Sequence, residues 1–380
     1  MDFDFTWLLW GLPIAFALGW GASRFDLRQW RMESRQAPKA YFRGLNHLLN
    51  EQQDQAIDAF IEAVQGDPDT AELHFALGNL FRRRGDYDRA VRVHEHLLSR
   101  ADIGRKDRDR AQHALALDFL KAGLLDRAEA ALHKLEGSAF EGEALLALLG
   151  IYERSRDWPQ AKLVAQRLED AEQGSFATRL AHYLCEEAEL AQRGGDSVQA
   201  MRLLEEAVQR APQLARGWMA LSAQKAHSGD AAGALDALLR LSQHAPQGLP
   251  LAARALADLA RQTGRETEVV ALLQASHERA PSIDITEALA SLSSGEAVRG
   301  RYLSHLEREP SLVITAQWLA GETLSSAHAQ ARVQQALEQA SMPLRRYRCA
   351  ACGFEARQHF WQCPGCQTWD SYPARRVEEL

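Results

Sequence analysis

Cysteine is scarce in this chain, and so are catalytic signatures. Five cysteines occur in 380 residues, and four of them, Cys349, Cys352, Cys363 and Cys366, fall within eighteen residues. A secreted disulfide scaffold spreads many cysteines through a short chain, so that class is excluded. The pattern suits a reducing compartment, where thiols stay free to hold metal. The fifth, Cys185, stands in the helical run Leu184-Cys185-Glu186-Glu187-Ala188. No companion base stands at a recognisable spacing, so Cys185 reads as a small core residue and not a nucleophile. There is no G-x-x-x-x-G-K-[ST], no G-x-S-x-G and no dinucleotide fingerprint. His94-Glu95-His96 is not H-E-x-x-H, because residues two apart do not share a helix face. The remaining histidines are scattered and are expected on helix surfaces. An excess of positive charge is also missing. The net charge of -7 excludes a globally basic nucleic-acid binder and leaves only local basic patches open. With 25% charged and 46% hydrophobic residues, the chain is an ordinary folded protein.

One long uncharged run is present. Phe5 to Ala22 spans eighteen residues without a charge. As a helix it would cover about 27 Å, close to the roughly 30 Å hydrocarbon core of a bilayer. Trp7 and Trp20 stand near its ends, where indole rings favour the interface. Asp2 and Asp4 precede it, and Arg24, Arg28, Arg31, Arg35 and Lys39 follow. Basic flanks stay cytoplasmic, so the N-terminus is expected to face out and the bulk of the chain to face the cytoplasm. A cleaved signal peptide would begin with positive charge, which is absent here.

The middle repeats itself. Ala56-Ile57-Asp58-Ala59-Phe60 aligns with Ala90-Val91-Arg92-Val93-His94 at an offset of thirty-four, which places Gly44 on Gly78. Ala200 to Ala234 and Pro212 to Pro246 keep the same offset. That is the spacing of the tetratricopeptide repeat, two helices per unit. Small residues such as Gly78, Ala90 and Ala234 are expected where helices approach closely. Phe60, Leu204 and Trp218 are expected to fill gaps between units. Gly85, Gly123, Gly195 and Gly229 fall at turns that call for positive φ. Pro68, Pro212, Pro246 and Pro281 close units. Beyond Ser282 the pattern degenerates, with Ala327 to Ala340 as a final helix. Arrays of this kind expose an extended concave face for partner proteins. The arginines at Arg82-Arg83-Arg84 and from Arg105 to Arg110 read mainly as solvated helix ends.

Cys349-x-x-Cys352 and Cys363-x-x-Cys366 form two C-x-x-C pairs separated by ten residues. Two such loops facing each other complete a tetrahedral shell of four sulfurs for zinc or a single iron. Gly353 and Pro364-Gly365 are expected to turn the two loops and aim amide N–H groups at the sulfurs. Phe354, Phe360, Trp361 and Trp369 are expected as an apolar shell. With four protein ligands the metal keeps no open position for hydrolysis. Only a few residues join Ala340 to Cys349, too few for an independent tether.

Several runs carry a family resemblance. They include Gly44-Leu45-Asn46, Leu77-Gly78-Asn79-Leu80-Phe81-Arg82, Ala122-Gly123-Leu124 with Asp126-Arg127-Ala128-Glu129, and Tyr347-Arg348-Cys349-x-x-Cys352-Gly353-Phe354 followed by Trp361-x-Cys363-Pro364-x-Cys366-x-x-Trp369. In that order, over essentially the whole chain, they resemble the lipopolysaccharide assembly protein B family. The resemblance implies an inner-membrane, non-enzymatic adaptor for lipopolysaccharide homeostasis. It implies partnership with the membrane protease FtsH in degrading the lipid A deacetylase LpxC, restraint by a further membrane protein, and links to other lipopolysaccharide-assembly proteins.

The expected architecture is all-α. A transmembrane anchor occupies 1–23, a basic juxtamembrane segment 24–36, a tetratricopeptide-repeat solenoid 37–341, and a small rubredoxin-like metal-binding domain 342–380. The competing functions are electron transfer at an iron site and nucleic-acid binding by a zinc ribbon through Arg345, Arg346, Arg348 and Arg357.

Overall fold

A computed structural model of the chain describes residues 14–20, 39–323 and 326–380. The anchor and the basic segment read from the sequence lie mostly outside these residues. Of the anchor, 14–20 is described as helix, with Ile14, Phe16, Leu18 and Trp20 exposed. Among the described residues no helix is long and apolar enough to cross a membrane.

From residue 39 the chain is a succession of helix–turn–helix units. These pair α1 (39–49) with α2 (Gln53–Gly66), α3 (Ala71–Arg84) with α4 (Tyr87–Ser99), α5 (Arg105–Ala122) with α6 (Leu125–His133), and α7 (Glu141–Ser155) with α8 (Trp158–Asp170). They continue with α9 (Ala177–Arg193) and α10 (Ser197–Arg210), α11 (Ala215–His227) and α12 (Ala231–His244), and α13 (Leu249–Thr263) and α14 (Glu266–Arg279). The last are α15 (Ile283–Ser291) with α16 (Glu296–Leu306) and α17 (Leu312–Ala320) with α18 (Ala327–Ser341). The chain divides into two compact units, 1–151 and 152–380.

Local chemistry sets each turn. Gly85, Gly123, Gly195 and Gly229 have φ of 90°, 77°, 84° and 86°, as the repeat pattern predicts. In the α7–α8 turn Arg156 takes the same place at φ 59°. The next residue caps the second helix in three units. Asp157, Asp196 and Asp230 accept hydrogen bonds from the backbone N–H of Gln160, Gln199 and Gly233. Each such cap stabilises its helix by about 1 kcal/mol.

In the first unit Ile57, Phe60, Leu77, Leu80 and Phe81 form one core. Gly78 is required by packing. A Cβ built there would lie 2.5 Å from the ring nitrogen Nε2 of His94. His94 is fully buried, and its Nδ1 lies 2.5 Å from the carboxylate of Asp118, which is also fully buried. Asp118 accepts a second hydrogen bond from Arg82 at 2.8 Å. Arg110 pairs with Glu72 at 2.6 Å, and its guanidinium lies 4.1 Å from the Phe75 ring centre. Arg82 is thus an internal brace and not a solvated helix end, while Arg110 makes its contacts at the surface.

In the second unit a continuous core runs from α9 to α15 through Leu184, Leu204, Trp218, Leu235, Leu256, Leu273 and Leu289. Burying side chains of this size contributes roughly 1.5–3 kcal/mol each. The Trp218 indole N–H donates to the Pro212 carbonyl at 2.8 Å, tying a first helix to the proline that closes the preceding hairpin. Cys185 is 1% exposed, and burial pushes its thiol up to about 11, so it is a core residue as expected.

Where the sequence pattern degenerates beyond Ser282, α15 to α18 still form two further hairpins. Ile283, Ile285, Leu289, Val313 and Ile314 keep buried apolar faces on first helices of only nine residues, too short to carry the repeat consensus. Eight of the thirteen histidines are exposed or half-buried, but five lie in the core and not on a helix surface. His74, His94, His182, His277 and His305 are buried. Most have polar partners at a ring nitrogen, such as Asp118 for His94, Asp370 for His182 and Thr286 for His305, and such partners permit burial.

Candidate metal centre

After α18 the backbone turns through residues 342–346 into a two-stranded ribbon. β1 (Tyr347–Arg348) pairs antiparallel with β2 (Glu355–Ala356). The first C-x-x-C loop joins the two strands. The second lies between Gln362 and Trp369, which form an isolated antiparallel bridge.

The two loops are built alike. The N–H of Gly353 donates to the Cys349 carbonyl at 2.9 Å, and the N–H of Gln367 donates to the Cys363 carbonyl at 2.8 Å. Cys349 N–H donates to Phe354 O and Cys363 N–H to Thr368 O, both at 2.9 Å. The residue after each second cysteine has positive φ, 77° at Gly353 and 61° at Gln367. Pro364 and Gly365 lie in the turn of the second loop, and Gln367 supplies the positive φ that Gly353 supplies in the first. Backbone N–H groups of Ala351 and Cys352 approach the Cys349 sulfur, that of Phe354 approaches Cys352, and that of Thr368 approaches Cys366. Such donors stabilise thiolates.

The four sulfurs lie within 4.8 Å of one another. Cys349 and Cys366 are 3.8 Å apart, and Cys352 and Cys363 are 3.7 Å apart. A tetrahedron with metal–sulfur bonds of about 2.3 Å has edges of about 3.8 Å. A disulfide would need about 2.05 Å, and all four cysteines are free. The donor set fits one tetrahedral ion of zinc or iron. Cys349 and Cys363 are buried, and Cys352 and Cys366 face solvent.

The aromatic shell differs from the one read off the sequence. Tyr347 and Tyr372 pack with the two buried cysteines, and Phe360 joins them. Phe354 is 45% exposed. Trp361 and Trp369 turn away from the sulfurs and onto the repeats. Trp361 packs on the repeat core. Trp369 stacks on His182 with ring centres 4.4 Å apart, and meets Trp158 and Tyr183 edge-on. Its indole N–H donates to Glu153 at 3.1 Å, and Tyr183 donates to the same carboxylate.

Asp370 completes this contact. His182 Nε2 lies 3.0 Å from both carboxylate oxygens, and Arg216 approaches His182 Nδ1 at 3.4 Å. Both contacts are satisfied by a neutral ring that donates through Nε2 and accepts at Nδ1. Burial lowers the His182 pKa despite the opposing pull of Asp370, which agrees with that tautomer. Arg216 is itself held by Glu186 at 2.7 Å and Glu189 at 3.3 Å.

The last residues staple the domain further along. Arg376 grips Asp284 with two hydrogen bonds of 2.9 and 2.6 Å and covers the Tyr347 ring at 4.2 Å. Glu379 accepts from the N–H of Ile283 at the start of α15. Glu378 accepts from Ser311 Oγ and the N–H groups of Leu312 and Val313 at the start of α17. Named contacts thus reach α7, α9, α11, α13 through Leu251, α15 and α17, each the first helix of its hairpin. The docking residues Glu153, His182 and Arg216 were not legible in the sequence. Trp369 was singled out, for a different role.

Three of the arginines considered for nucleic acid are paired within the chain. Arg345 meets Glu287, while Arg346 and Arg348 meet Glu355.

The family models that match this chain agree with this geometry. Residues 347–372 match the family described as a rubredoxin metal binding domain, and residues 73–110 match the tetratricopeptide repeat. Among solved structures, a tetratricopeptide repeat protein from Parabacteroides merdae is 13% identical, with a TM-score of 0.35, covering 67% of this chain and 98% of that one. Lipopolysaccharide assembly protein B of Haemophilus influenzae is 26% identical over 95% of this chain and 96% of its own. That of Escherichia coli K12 is 30% identical over 97% of this chain and 98% of its own. The chain therefore belongs to the lipopolysaccharide assembly protein B family.

Proposed function

We propose that the protein is a non-enzymatic, membrane-anchored adaptor of lipopolysaccharide assembly. In this reading residues 1–23 tether it in the inner membrane with the N-terminus in the periplasm, and 24–36 lie at the cytoplasmic surface. The repeats of 37–341 hold client proteins, and 342–380 form the metal domain. Cys349, Cys352, Cys363 and Cys366 are the ligands of one zinc or iron ion. The adaptor promotes FtsH-dependent proteolysis of the lipid A deacetylase LpxC and meets other lipopolysaccharide-assembly proteins at the membrane.

The observation that carries this reading is the docking of the four-cysteine domain along the first helices of its own repeats. All four candidate donors are protein thiols, which leaves the ion no open position for hydrolysis. The ion then serves to fold a small domain, and the folded domain becomes part of a protein-binding face. Recovery of partners from membranes, with and without the first twenty-two residues, tests it. FtsH and the deacetylase should be recovered with the complete chain and depleted without the anchor. Recovery of neither with the complete chain would refute the reading.

One observation favours a second reading. Cys352 and Cys366 face solvent, which would bring an iron site within reach of a redox partner. Electron transfer requires a reversible change in visible absorbance. Full activity of a zinc-loaded protein excludes it.

A further inference from the structure

Two cavities lie side by side where the metal domain meets the repeats. The larger, 480 Å³, is walled by Leu214 and Leu251 of the repeats and by Trp361, His359 and Tyr372 of the metal domain. The smaller, 290 Å³, is walled by Pro250, Pro281 and Ile285 and edged by Arg279 and Ser282. Gln247 and Arg375 line both, so the two form one groove that passes the turn before α13. The larger volume is in the range of ligand pockets, and apolar walls with a few polar groups are their usual lining.

Polar groups of both signs line the groove, the carboxylate of Asp370 and the cations of Arg279 and Arg375. Arg279 uses Nε on its own helix, at the Ala275 carbonyl, and neither it nor Arg375 has an ion pair among the described residues. Gln247 and the Trp361 indole N–H have no hydrogen-bond partner there either. Ser282 also lines the smaller cavity, with its hydroxyl oxygen sealed beneath the surface and without a partner among the described residues. The carboxylate that borders the groove, Asp370, is engaged by His182. The groove therefore presents two cations, Arg279 and Arg375, in its smaller half and an aromatic and aliphatic wall in its larger half.

We propose that this groove binds an extended acidic peptide of a partner protein. An apolar side chain enters the larger cavity, and an Asp or Glu carboxylate a few residues away is held by Arg279 and Arg375 in the smaller one. Gln247 stands between them, placed to hydrogen-bond the peptide backbone. The groove exists only while the metal domain is folded and docked, because Trp361, His359, Tyr372 and Arg375 belong to that domain. The proposal deepens the adaptor reading and rests on it for its biological meaning.

The test is selection from a displayed library of random heptapeptides against the metal-loaded complete chain in detergent. The selected peptides should share a large apolar residue two to four positions from Asp or Glu. A synthetic consensus peptide should bind about tenfold more weakly to Arg279→Ala and to Arg375→Ala, the scale of a lost charge-assisted hydrogen bond. Gln247→Lys adds a cation between the cavities and should tighten binding about threefold. Neither arginine is buried, so unchanged melting temperatures separate lost binding from lost folding. Absence of an acidic consensus, or a peptide indifferent to both arginine substitutions, overturns the proposal. So does arginine-dependent flotation on phosphatidylglycerol vesicles without peptide selection, which would make the site a lipid contact. The selection contains no other cell component, so its failure is distinguishable from failure of the membrane recovery experiment.

Discussion

Trp369 lies flat on His182, ring centres 4.4 Å apart with 28° between the planes. This pair joins the metal domain to a helix of the repeat array far away in sequence. The neighbouring Asp370 fixes the same imidazole, and Glu153 fixes the indole. A ring held on its face, its edge and its N–H has one seat only. The metal domain is therefore a built part of the repeat face.

The metal should hold this contact together. A domain of some forty residues has little core of its own, so ligand loss is folding energy lost. Chelation, or serine at both Cys349 and Cys352, should make the segment after Ser341 protease-sensitive while the repeats keep their helical circular dichroism. A resistant C-terminal segment in the metal-free protein would contradict this.

Gln367 in the second cysteine loop and Arg156 in the α7–α8 turn carry positive φ without being glycine. A side chain in this conformation costs about 1 kcal/mol relative to glycine. Gln367→Gly and Arg156→Gly should each stabilise the protein by up to about 1 kcal/mol in urea unfolding. Loss of stability in both would show that the side chains make compensating contacts.

Gly78 and His94 should be energetically coupled. Gly78→Ala forces its methyl group against a buried imidazole and should cost about 1–3 kcal/mol. The same change in a His94→Ala background should cost much less, and a double-mutant cycle reads the difference. Additive effects would place the cost in the backbone instead.

Stability should fall on mild acidification. Burial pushes the His277 imidazole down to about 4, with further lowering from His305, Arg308 and Arg301 and opposition from Glu309. The unfolded ring titrates near 6.5. Between those values the unfolded state binds a proton that the folded state refuses, so folding weakens as pH drops through that window. Above 6.5 this contribution is complete and flat. Urea midpoints measured from about pH 7.5 to about pH 4.5 should decline, and less steeply in His277→Asn. An identical decline in the variant would remove His277 from the account.

The sequence shows the array where side-chain chemistry is local. Turn glycines, closing prolines and paired cysteines each act through their immediate neighbours, so the hairpins and the sulfur cluster are legible from spacing. What is not legible depends on distant pairs. His182 reads as an ordinary polar position until Asp370 arrives to satisfy it. Trp361 and Trp369 read as a shell for the cysteines because they adjoin them in sequence, yet the loops point them outward. Ile283 to Ser341 falls outside the repeat consensus because its first helices are short, and it folds the same way through plain apolar periodicity.

The docked metal domain and the repeat face are expected to act together in client handling. The most direct measurement is the lifetime of the lipid A deacetylase in cells carrying Trp369→Ala with Asp370→Ala. These changes remove the seat on His182 and leave all four cysteines in place. The deacetylase lifetime should lengthen markedly with metal content unchanged. A normal lifetime, in a protein shown by proteolysis to be undocked, would contradict it.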